Sequence, residues 1–377
     1  MTLPRISDPV AADIAALYRR SLLATWDFSR SELDALLAVA KQFNALDDAG
    51  VRVDWLRAQL AYALFFDNST RTKSAWAGAA ARLGMQPVII DGETTQVAHG
   101  ETIAETGAML GMNAHAMGVR HDLILGEGRR FMKEIKRGID EYLGAIGSER
   151  SVPIVNLQCD LDHPTQTLAD AMWLQEQYGD LRGKKVTVSW AYSPSYAKPL
   201  SVPQGLIMLL PRLGAHVTLA HPEGYELQPE CVSYAHESAA ANDGSFAVTN
   251  DMDAAFADAH VVYPKSWGPV ALMEERVAAA GNRPAMADIE KRALAQNAAH
   301  RDWICDERRM ALTHNQEALY MHCLPADIGA EVSPGVMDKY RVHVAREAQK
   351  KVYIIMALLA VAKVEGLAER LNTAGEA

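Results

Sequence analysis

Short apolar runs alternate with longer segments of helical periodicity along this chain. Residues 60–66 form an apolar run of strand length, and the Ala-rich segment 74–84 that follows has the composition of a helix ending at Gly84. The same order of strand and helix recurs in both halves and is typical of parallel sheets covered by helices. We therefore predict an α/β protein with two mostly parallel sheets. The predicted strands are 60–66, 86–90, 114–119, 152–157, 184–190, 216–220, 260–264 and 318–324.

The length of 377 residues exceeds what one hydrophobic core usually supports. We predict two domains, residues 1–165 and 166–344, with a helix over 345–370 packing back onto the first. A long helix from residue 165 to 178 is expected to connect the domains. Ligands of open α/β sheets bind beyond the carboxyl ends of the strands. The polar segments at those ends are therefore the candidate functional residues.

Composition excludes several classes of protein. The net charge of −10, with no basic stripe, argues against a nucleic-acid partner. The four cysteines are far apart, so neither a disulfide framework nor a zinc site is indicated. The apolar run 352–362 is too short to span a bilayer, and the N-terminus lacks a secretory pattern. We expect a cytoplasmic enzyme without a metal, a cofactor or a membrane partner.

The segment 67–73 is the first candidate for an anion site. It lies between a predicted strand and a predicted helix, where backbone N–H groups and the positive end of the helix dipole face outward. Ser69, Thr70, Arg71 and Thr72 add hydroxyl and guanidinium donors suited to phosphate. Taken alone, the segment could equally be an ordinary Ser/Thr helix cap with a solvated arginine.

Other polar segments follow other predicted strands. Several such loops at one edge of a sheet are harder to explain as solvated surface than any single one. The segments are Arg120 after the third strand, 163–166 after the fourth, and, in the second half, 265–267 and 322–325.

These motifs carry a resemblance to a known family. Ser69-Thr70-Arg71-Thr72, Arg120-His121, His163-Pro164-Thr165-Gln166 and His322-Cys323-Leu324-Pro325, in this order and spacing, resemble the aspartate/ornithine carbamoyltransferase family over about residues 20–365. The Pro-rich stretch 192–203 and the segment 263–268 are similar to the knotted subgroup that includes the N-acetyl- and N-succinylornithine carbamoyltransferases. The runs 155–160, 190–205 and 220–225 resemble the YgeW-type members, which are associated with purine or ureide catabolism.

The resemblance implies a reaction and roles for individual residues. Family members transfer a carbamoyl group from carbamoyl phosphate to an amine and release phosphate. By motif, Ser69 to Thr72 and the late arginine Arg346 would bind the phosphate. Thr72, Arg120 and His163 would stabilise the negative charge that grows on the carbamoyl oxygen. Gln166 and the Leu324 carbonyl would hold the carbamoyl NH2 group, with Cys323 near the attacking amine.

The same resemblance implies a C-terminal domain knotted through the Pro-rich loop and a homotrimer with sites at subunit interfaces. A lysine of the neighbouring subunit completes the site in the aspartate enzymes, and His99 stands at that position here. Either Gln96 or His99 therefore completes the neighbour's site, or the loop works differently. Covalent catalysis by Cys323 remains an alternative, although neighbouring residues at a strand end face opposite sides, so His322 is a poor base for it.

The second substrate is less defined by sequence. Asp160, with Asp162, could hold an amino or amide group, or could be a turn carboxylate. Lys265 and Ser266 could bind a carboxylate, the alternative being a solvated lysine. The ornithine enzymes' Ser-Met-Gly segment is absent, which argues against plain ornithine. We expect a small acceptor bearing a carboxylate.

Other activities lack their sequence signatures. A dinucleotide-binding G-x-G-x-x-G, a phosphate-binding P-loop, H-E-x-x-H and G-x-S-x-G are all missing. Two functions remain open. One is carbamoyl transfer, run forwards or as phosphorolysis of a ureido compound. The other is a catalytically weak paralogue that binds carbamoyl phosphate or another small anion in a regulatory role.

Overall fold

The computed structural model describes residues 5–122, 124–196 and 198–374, and of Ala98 and His99 it describes the backbone only. The chain forms two compact units. The first comprises Met1–Asp122, Gly126–Met172 and Gln349–Ala377, and the second comprises Leu123–Leu125 and Trp173–Ala348.

The sheet of the first unit has four parallel strands in the order β2-β1-β3-β4. The central strand β1 is apolar and mostly buried, whereas the edge strand β2 is partly exposed. Because β1 pairs with β2 on one side and β3 on the other, the chain changes direction at β1. The strands are β1 (Leu60–Phe65), β2 (Gln86–Asp91), β3 (Ala116–His121) and β4 (Ile154–Cys159).

The second unit has a five-stranded parallel sheet in the order β7-β6-β5-β8-β9. The same change of direction occurs at β5, which pairs with β6 and β8. Such switch points open a crevice at the carboxyl ends of the strands. The strands are β5 (Lys185–Ser189), β6 (His216–Ala220), β7 (Ser245–Thr249), β8 (Val261–Pro264) and β9 (Leu319–Tyr320).

Helices connect the strands in both units. Two of them pass from one unit to the other, because the boundaries at residues 172 and 348 fall within α6 and α13. The helices are α1 (Asp8–Ala16), α2 (Arg30–Asp48), α3 (Thr70–Arg82), α4 (Ile103–Gly111), α5 (Glu127–Ala145), α6 (Pro164–Tyr178), α7 (Ser201–Leu209), α8 (Pro229–Ala241), α9 (Met252–Phe256), α10 (Val270–Ala278), α11 (Arg283–Ala298), α12 (Glu307–Met310), α13 (Pro334–Lys363) and α14 (Leu367–Ala374).

Helix α5 shows why these segments fold as they do. Its buried face carries Phe131, Ile135 and Ile139, and its exposed face carries ion pairs four residues apart such as Arg137 with Glu141. Close contact with α4 requires glycine, because a Cβ on Gly138 would lie 2.0 Å from the Ala104 carbonyl oxygen. The amphipathic spacing of α5 and the absence of a side chain at Gly138 together allow α4 and α5 to pack closely.

The predicted α/β class with two parallel sheets is confirmed. Two details differ from the sequence prediction: β7 was not predicted, and the strand predicted over 318–324 is only Leu319–Tyr320. The knot through the Pro-rich loop stays a prediction. None of the described helices combines the length and the hydropathy needed to cross a membrane.

Candidate active site

The loop after β1 leads into the N-terminus of α3. Ser69 is the N-cap residue, and its hydroxyl accepts a hydrogen bond from the backbone N–H of Thr72 at 3.2 Å. Thr72 is buried, Arg71 is half-buried and Thr70 is exposed. The helix therefore starts with oriented backbone donors, hydroxyls and a guanidinium beside its positive dipole end, which is suited to an anion.

Arg120 lies at the end of β3, where the pairing with β4 shifts register between Val119 and Arg120. Such irregularities often redirect a side chain next to a site. The Arg120 side chain is 14% exposed, and its Nη2 donates to Asp122 Oδ2 at 3.0 Å. The Arg120 carbonyl accepts from the N–H of Phe66, which joins this strand end to the loop after β1.

His163 precedes α6 and is buried. Burial, reinforced by the positive charges of Lys351, Arg120 and Arg71, holds the pKa of His163 well below its usual range. The imidazole is therefore neutral near pH 7. Its Nδ1 lies 3.3 Å from the Thr165 hydroxyl, which leaves Nε2 as the other hydrogen-bonding position of the ring.

Gln166 lies one turn into the same helix and is buried. Its Nε2 donates to Asp170 Oδ1 at 2.6 Å. This contact orients the amide, so that its oxygen is the atom it can offer to an NH2 group. The geometry fits the role that the family resemblance implies for Gln166.

The structure adds Lys351, which the sequence analysis did not select. This buried lysine on α13 places Nζ 3.5 Å from Thr72 Oγ1, and its charge acts on His163. Two consecutive lysines, 350 and 351, at the start of an otherwise apolar helical run were the available sequence signal. Burying lysine is costly unless a partner compensates its charge.

Arg346 lies in the second unit. Its exposed side chain pairs with Glu176 at 3.2 Å and lies over the Trp173 ring at 5.2 Å. Its predicted contact with phosphate stays a prediction.

The two carboxylates predicted for the acceptor have partners within the first unit. Asp160 accepts from the N–H of Gly126 at 2.8 Å. Asp162 accepts from both the N–H and the hydroxyl of Thr25, at 2.7 and 2.9 Å. Burial raises the pKa of Asp162 to about 6. The role of Asp160 in acceptor binding stays a prediction, and the side chain of His99 lies outside the described part of the chain.

The second unit collects a group of charged residues at the ends of β8 and β9. We call it the Glu331 cluster: Lys198, Lys265, Ser266, His322, Asp327 and Glu331. Glu331 Oε1 accepts from the N–H of Ser266 at 2.7 Å, and Oε2 accepts from the N–H of Asp327 at 2.8 Å. The Lys198 ammonium donates to Glu331 at 3.0 Å and to Asp327 at 2.6 Å. Sequence analysis found Lys265 and Ser266 but not the carboxylate that organises them.

Electrostatics favour an ionised Glu331. Burial by itself would raise its pKa, but His322, Lys265 and Lys198 lower the pKa well below its usual range. Burial lowers the pKa of Lys265, whose Nζ donates to the Ser266 carbonyl at 2.7 Å. The cluster thus fixes two lysines and the backbone of residue 266 at the carboxyl end of the sheet.

Cys323 is partly exposed and is poorly placed to use His322 as a base. The Nδ1 of His322 accepts from the N–H of Leu324 at 2.9 Å, and Nε2 lies 3.6 Å from Glu331. Nδ1 is therefore engaged by the backbone, and Nε2 lies near the Glu331 carboxylate without a hydrogen bond. Leu324 has a φ of 52°, a left-handed conformation that non-glycine residues adopt mainly where local structure enforces it.

Within the described residues, no group of three or more His, Cys, Asp or Glu side chains is placed to hold a metal ion. The first unit offers a helix N-terminus, three cationic side chains and a neutral histidine, and the second unit offers a lysine–carboxylate cluster. The features of the first unit are suited to binding a small anion.

Family comparison identifies the class further. The model of the aspartate/ornithine carbamoyltransferase carbamoyl-P binding domain matches residues 20–176, and that of the Asp/Orn binding domain matches residues 200–362. The chain belongs to the aspartate/ornithine carbamoyltransferase family and is a transferase.

Individual relatives agree with this assignment. YgeW of Escherichia coli (strain K12), provisionally named a carbamoyltransferase, is 46% identical over 355 residues, 91% of this chain and 89% of the relative. An N-acetylornithine carbamoyltransferase of Xanthomonas campestris pv. campestris is 32% identical, covering 90% and 97%. The crystal structure of acetylornithine transcarbamylase complexed with acetylcitrulline superposes with a TM-score of 0.76 at 28% identity, over 92% of this chain and 100% of the other.

Proposed function

We propose that this protein transfers a carbamoyl group between carbamoyl phosphate and the amino or amide nitrogen of a small acceptor that bears a carboxylate. The physiological direction is either synthesis with release of phosphate or phosphorolysis of a ureido compound. The main observation behind the proposal is that Lys351 contacts Thr72 at the N-terminus of α3 and also acts on the neutral His163 in the same unit. A similar N-acetyl-L-ornithine transcarbamylase (TM-score 0.75, 29% identity) was crystallised with carbamyl phosphate and N-succinyl-L-norvaline.

The phosphate of the donor would bind at the start of α3. Ser69, Thr70, Arg71 and Thr72 supply backbone and side-chain donors there, and we assign Lys351 to the same anion. Charge-assisted hydrogen bonds of this kind are stronger than those between neutral groups. Arg346 stays a predicted phosphate ligand, to be compared with Lys351 by substitution.

The carbonyl of the donor would be activated by Thr72, Arg120 and His163. A neutral His163 donates a hydrogen bond from its ring without bringing its own charge, while Arg120 supplies the positive charge. Loss of one such donor typically raises the barrier by about 2.7–4 kcal/mol. Gln166 and the Leu324 carbonyl would hold the NH2 group.

The acceptor would bind at residues of the Glu331 cluster. Lys265 and Ser266 are proposed to bind its carboxylate, with Cys323 near the amine and Asp160 as a further polar contact. An aliphatic amine has a pKa near 10.4 in water, so it must lose a proton before it attacks. The departing phosphate is the proposed proton acceptor.

Assembly and metabolic role complete the proposal. We propose a cytoplasmic homotrimer acting in purine or ureide catabolism, with His99 or Gln96 reaching a neighbouring site. We also propose residues 1–165, with 345–370, as the donor domain and 166–344 as the acceptor domain, knotted through the Pro-rich loop.

The test measures phosphate release from carbamoyl phosphate with a panel of acceptors: ornithine, N-acetylornithine, N-succinylornithine, aspartate and ureides. The reverse reaction is followed with phosphate and ureido compounds, and donor affinity by calorimetry. Turnover with at least one carboxylate-bearing acceptor, lost in Arg120→Ala, is expected. Tight donor binding without turnover in either direction would favour the regulatory alternative, and no binding of carbamoyl phosphate would refute the transferase proposal.

A further inference from the structure

A buried carboxyl group, Asp122, and a half-buried one, Asp67, lie beside the proposed carbonyl-activating arginine. The Asp122 side chain is 1% exposed, and its Oδ2 accepts from Arg120 Nη2. Its backbone N–H donates to Asp67 Oδ2 at 2.9 Å, whereas its own Oδ1 is buried and has no hydrogen-bond partner among the described residues. Asp67 immediately precedes the anion-binding loop. Two acids therefore stand next to a site proposed for a doubly charged anion.

Two ionised carboxylates at this place would oppose binding of that anion and would cancel the charge of Arg120. Buried carboxyl groups that contact each other usually share a proton. Burial raises the pKa of Asp122 well above its usual range, Asp67 raises it further, and Arg120 opposes the shift only in part. His121, beside it on β3, contributes little positive charge because burial lowers its pKa.

We propose that Asp122 is a positioning residue which, as a neutral carboxylic acid paired with Asp67, holds the guanidinium of Arg120 and leaves its positive charge to the substrate. Asp122 Oδ2 accepts from Arg120 Nη2, and the buried Oδ1 carries the proton. The inference rests on the proposed function, because it assigns this pair to the activation of the carbamoyl group.

Arg120 itself shows why a fixed orientation matters. Its Nε is buried and has no hydrogen-bond partner in the described part of the chain. A buried donor without an acceptor is destabilising until a ligand supplies one. An oxygen of the bound donor substrate would satisfy it only if the guanidinium plane is held in one place. The contact at Nη2 restrains that plane.

Asparagine is the informative substitution, because it is neutral and offers one oxygen to Arg120. We expect Asp122→Asn to keep kcat within about threefold of the parent protein. Asp122→Leu has the same number of side-chain heavy atoms but no acceptor, and we expect it to lower kcat at least about tenfold, with the Kd for carbamoyl phosphate within about threefold. Asp54→Asn, a surface carboxylate next to Arg57, is the matched control.

The pH profile separates positioning from a merely structural role. Ionisation of Asp122 at alkaline pH would offset the positive charge of Arg120 and repel the donor, so the parent protein should lose kcat/KM there. Asp122→Asn should lack that alkaline decline. The charged groups that act on Asp122 are Arg120 on β3 and Asp67 in the loop after β1. The groups that act on the neighbouring His121 are Asp67, Glu127, Asp160 and Arg130.

The inference is overturned if Asp122→Leu turns over like the parent protein, if Asp122→Asn is as impaired as Asp122→Leu, or if Asp122→Asn keeps the alkaline decline. Thermal unfolding of each variant shows whether a loss of activity reflects misfolding. If Asp122→Leu is misfolded, the activity and the pH profile of Asp122→Asn decide the test. Failure of the unmodified protein to bind carbamoyl phosphate would refute the proposed function itself.

Discussion

Lysine 351 provides the sharpest test of the donor site. The change Lys351→Met removes the ammonium group and keeps an unbranched apolar chain in the same space. Lys350 is the matched control, since it is the preceding residue on α13, is equally buried and directs its Nζ to Asn44 Oδ1 at 2.8 Å. The two substitutions therefore remove an ammonium group from different partners, at adjacent helix positions that are equally buried.

The expected loss of affinity for carbamoyl phosphate follows from the charged hydrogen bond that Lys351 would make. A hydrogen bond between a charged group and its partner contributes about 1.5–3 kcal/mol, and every 1.4 kcal/mol is tenfold in affinity. If Lys351 Nζ, now 3.5 Å from Thr72 Oγ1, also binds the phosphate, Lys351→Met should raise the Kd for carbamoyl phosphate about 10- to 150-fold. Lys350→Met should leave it within about threefold. Because the Lys351 charge lowers the pKa of His163, that pKa should rise in Lys351→Met.

Isothermal titration calorimetry with carbamoyl phosphate, or with inorganic phosphate as a stable substitute, measures the affinities directly. Lys351→Arg keeps the charge and should recover most of the binding. Thermal unfolding controls for damage to α13. Equal affinities for the unmodified protein and Lys351→Met, or equal losses in Lys350→Met and Lys351→Met, would refute the assignment of Lys351 to the anion.

Three other predictions address separate parts of the molecule. Arg71→Ala should lower the rate of phosphate release at least about 100-fold. The control is Lys73→Ala, since the Lys73 ammonium lies 5.2 Å from the Phe65 ring centre, and this variant should change the rate less than about threefold. Comparable rates for the two variants would contradict the proposed site. Cys323→Ser should retain turnover within about tenfold, because His322 Nδ1 is engaged by the N–H of Leu324. Complete inactivation of this variant, together with an S-carbamoyl adduct trapped on Cys323 of the unmodified protein, would show covalent catalysis instead. Asp162 has a pKa of about 6 in the folded protein against an ordinary 3.8, so its contribution to stability is full below about pH 4 and is lost as pH rises through 6. Over that range the free energy of unfolding should fall by up to about 3 kcal/mol relative to Asp162→Asn. A difference between the two proteins that does not change with pH in denaturant titrations would show that the shift is absent.

Strand prediction succeeded where burial leaves a mark on the sequence. The run at 60–66 was recognised because buried parallel strands are continuously apolar. The edge strand β7 was missed because only Phe246 among its residues is buried, so it lacks such an apolar run. Strand β9 is short, and the residues that follow it do not continue the sheet.

The choice of candidate site residues depended on local sequence in a similar way. Ser69 to Thr72, His163 and Gln166 were selected as candidates because each belongs to a local motif at a strand end. Lys351 and Glu331 belong to no such motif and are separated from their partners by long stretches of chain. Lys351 meets Thr72 across 279 residues, and Glu331 meets Lys198 across 133.

The sequence by itself determined the alternation of strands and helices, the polar loops at the strand ends and the family, because these depend on residues near one another in the chain. Only the tertiary structure decided the charge state and the partners of those residues. The neutrality of His163, the pairing of Asp122 with Arg120 and Asp67, and the carboxylate that binds Lys198 all arise from burial and from contacts between distant segments. Local pattern encodes where a site forms, but desolvation and long-range contact set the electrostatics with which it acts.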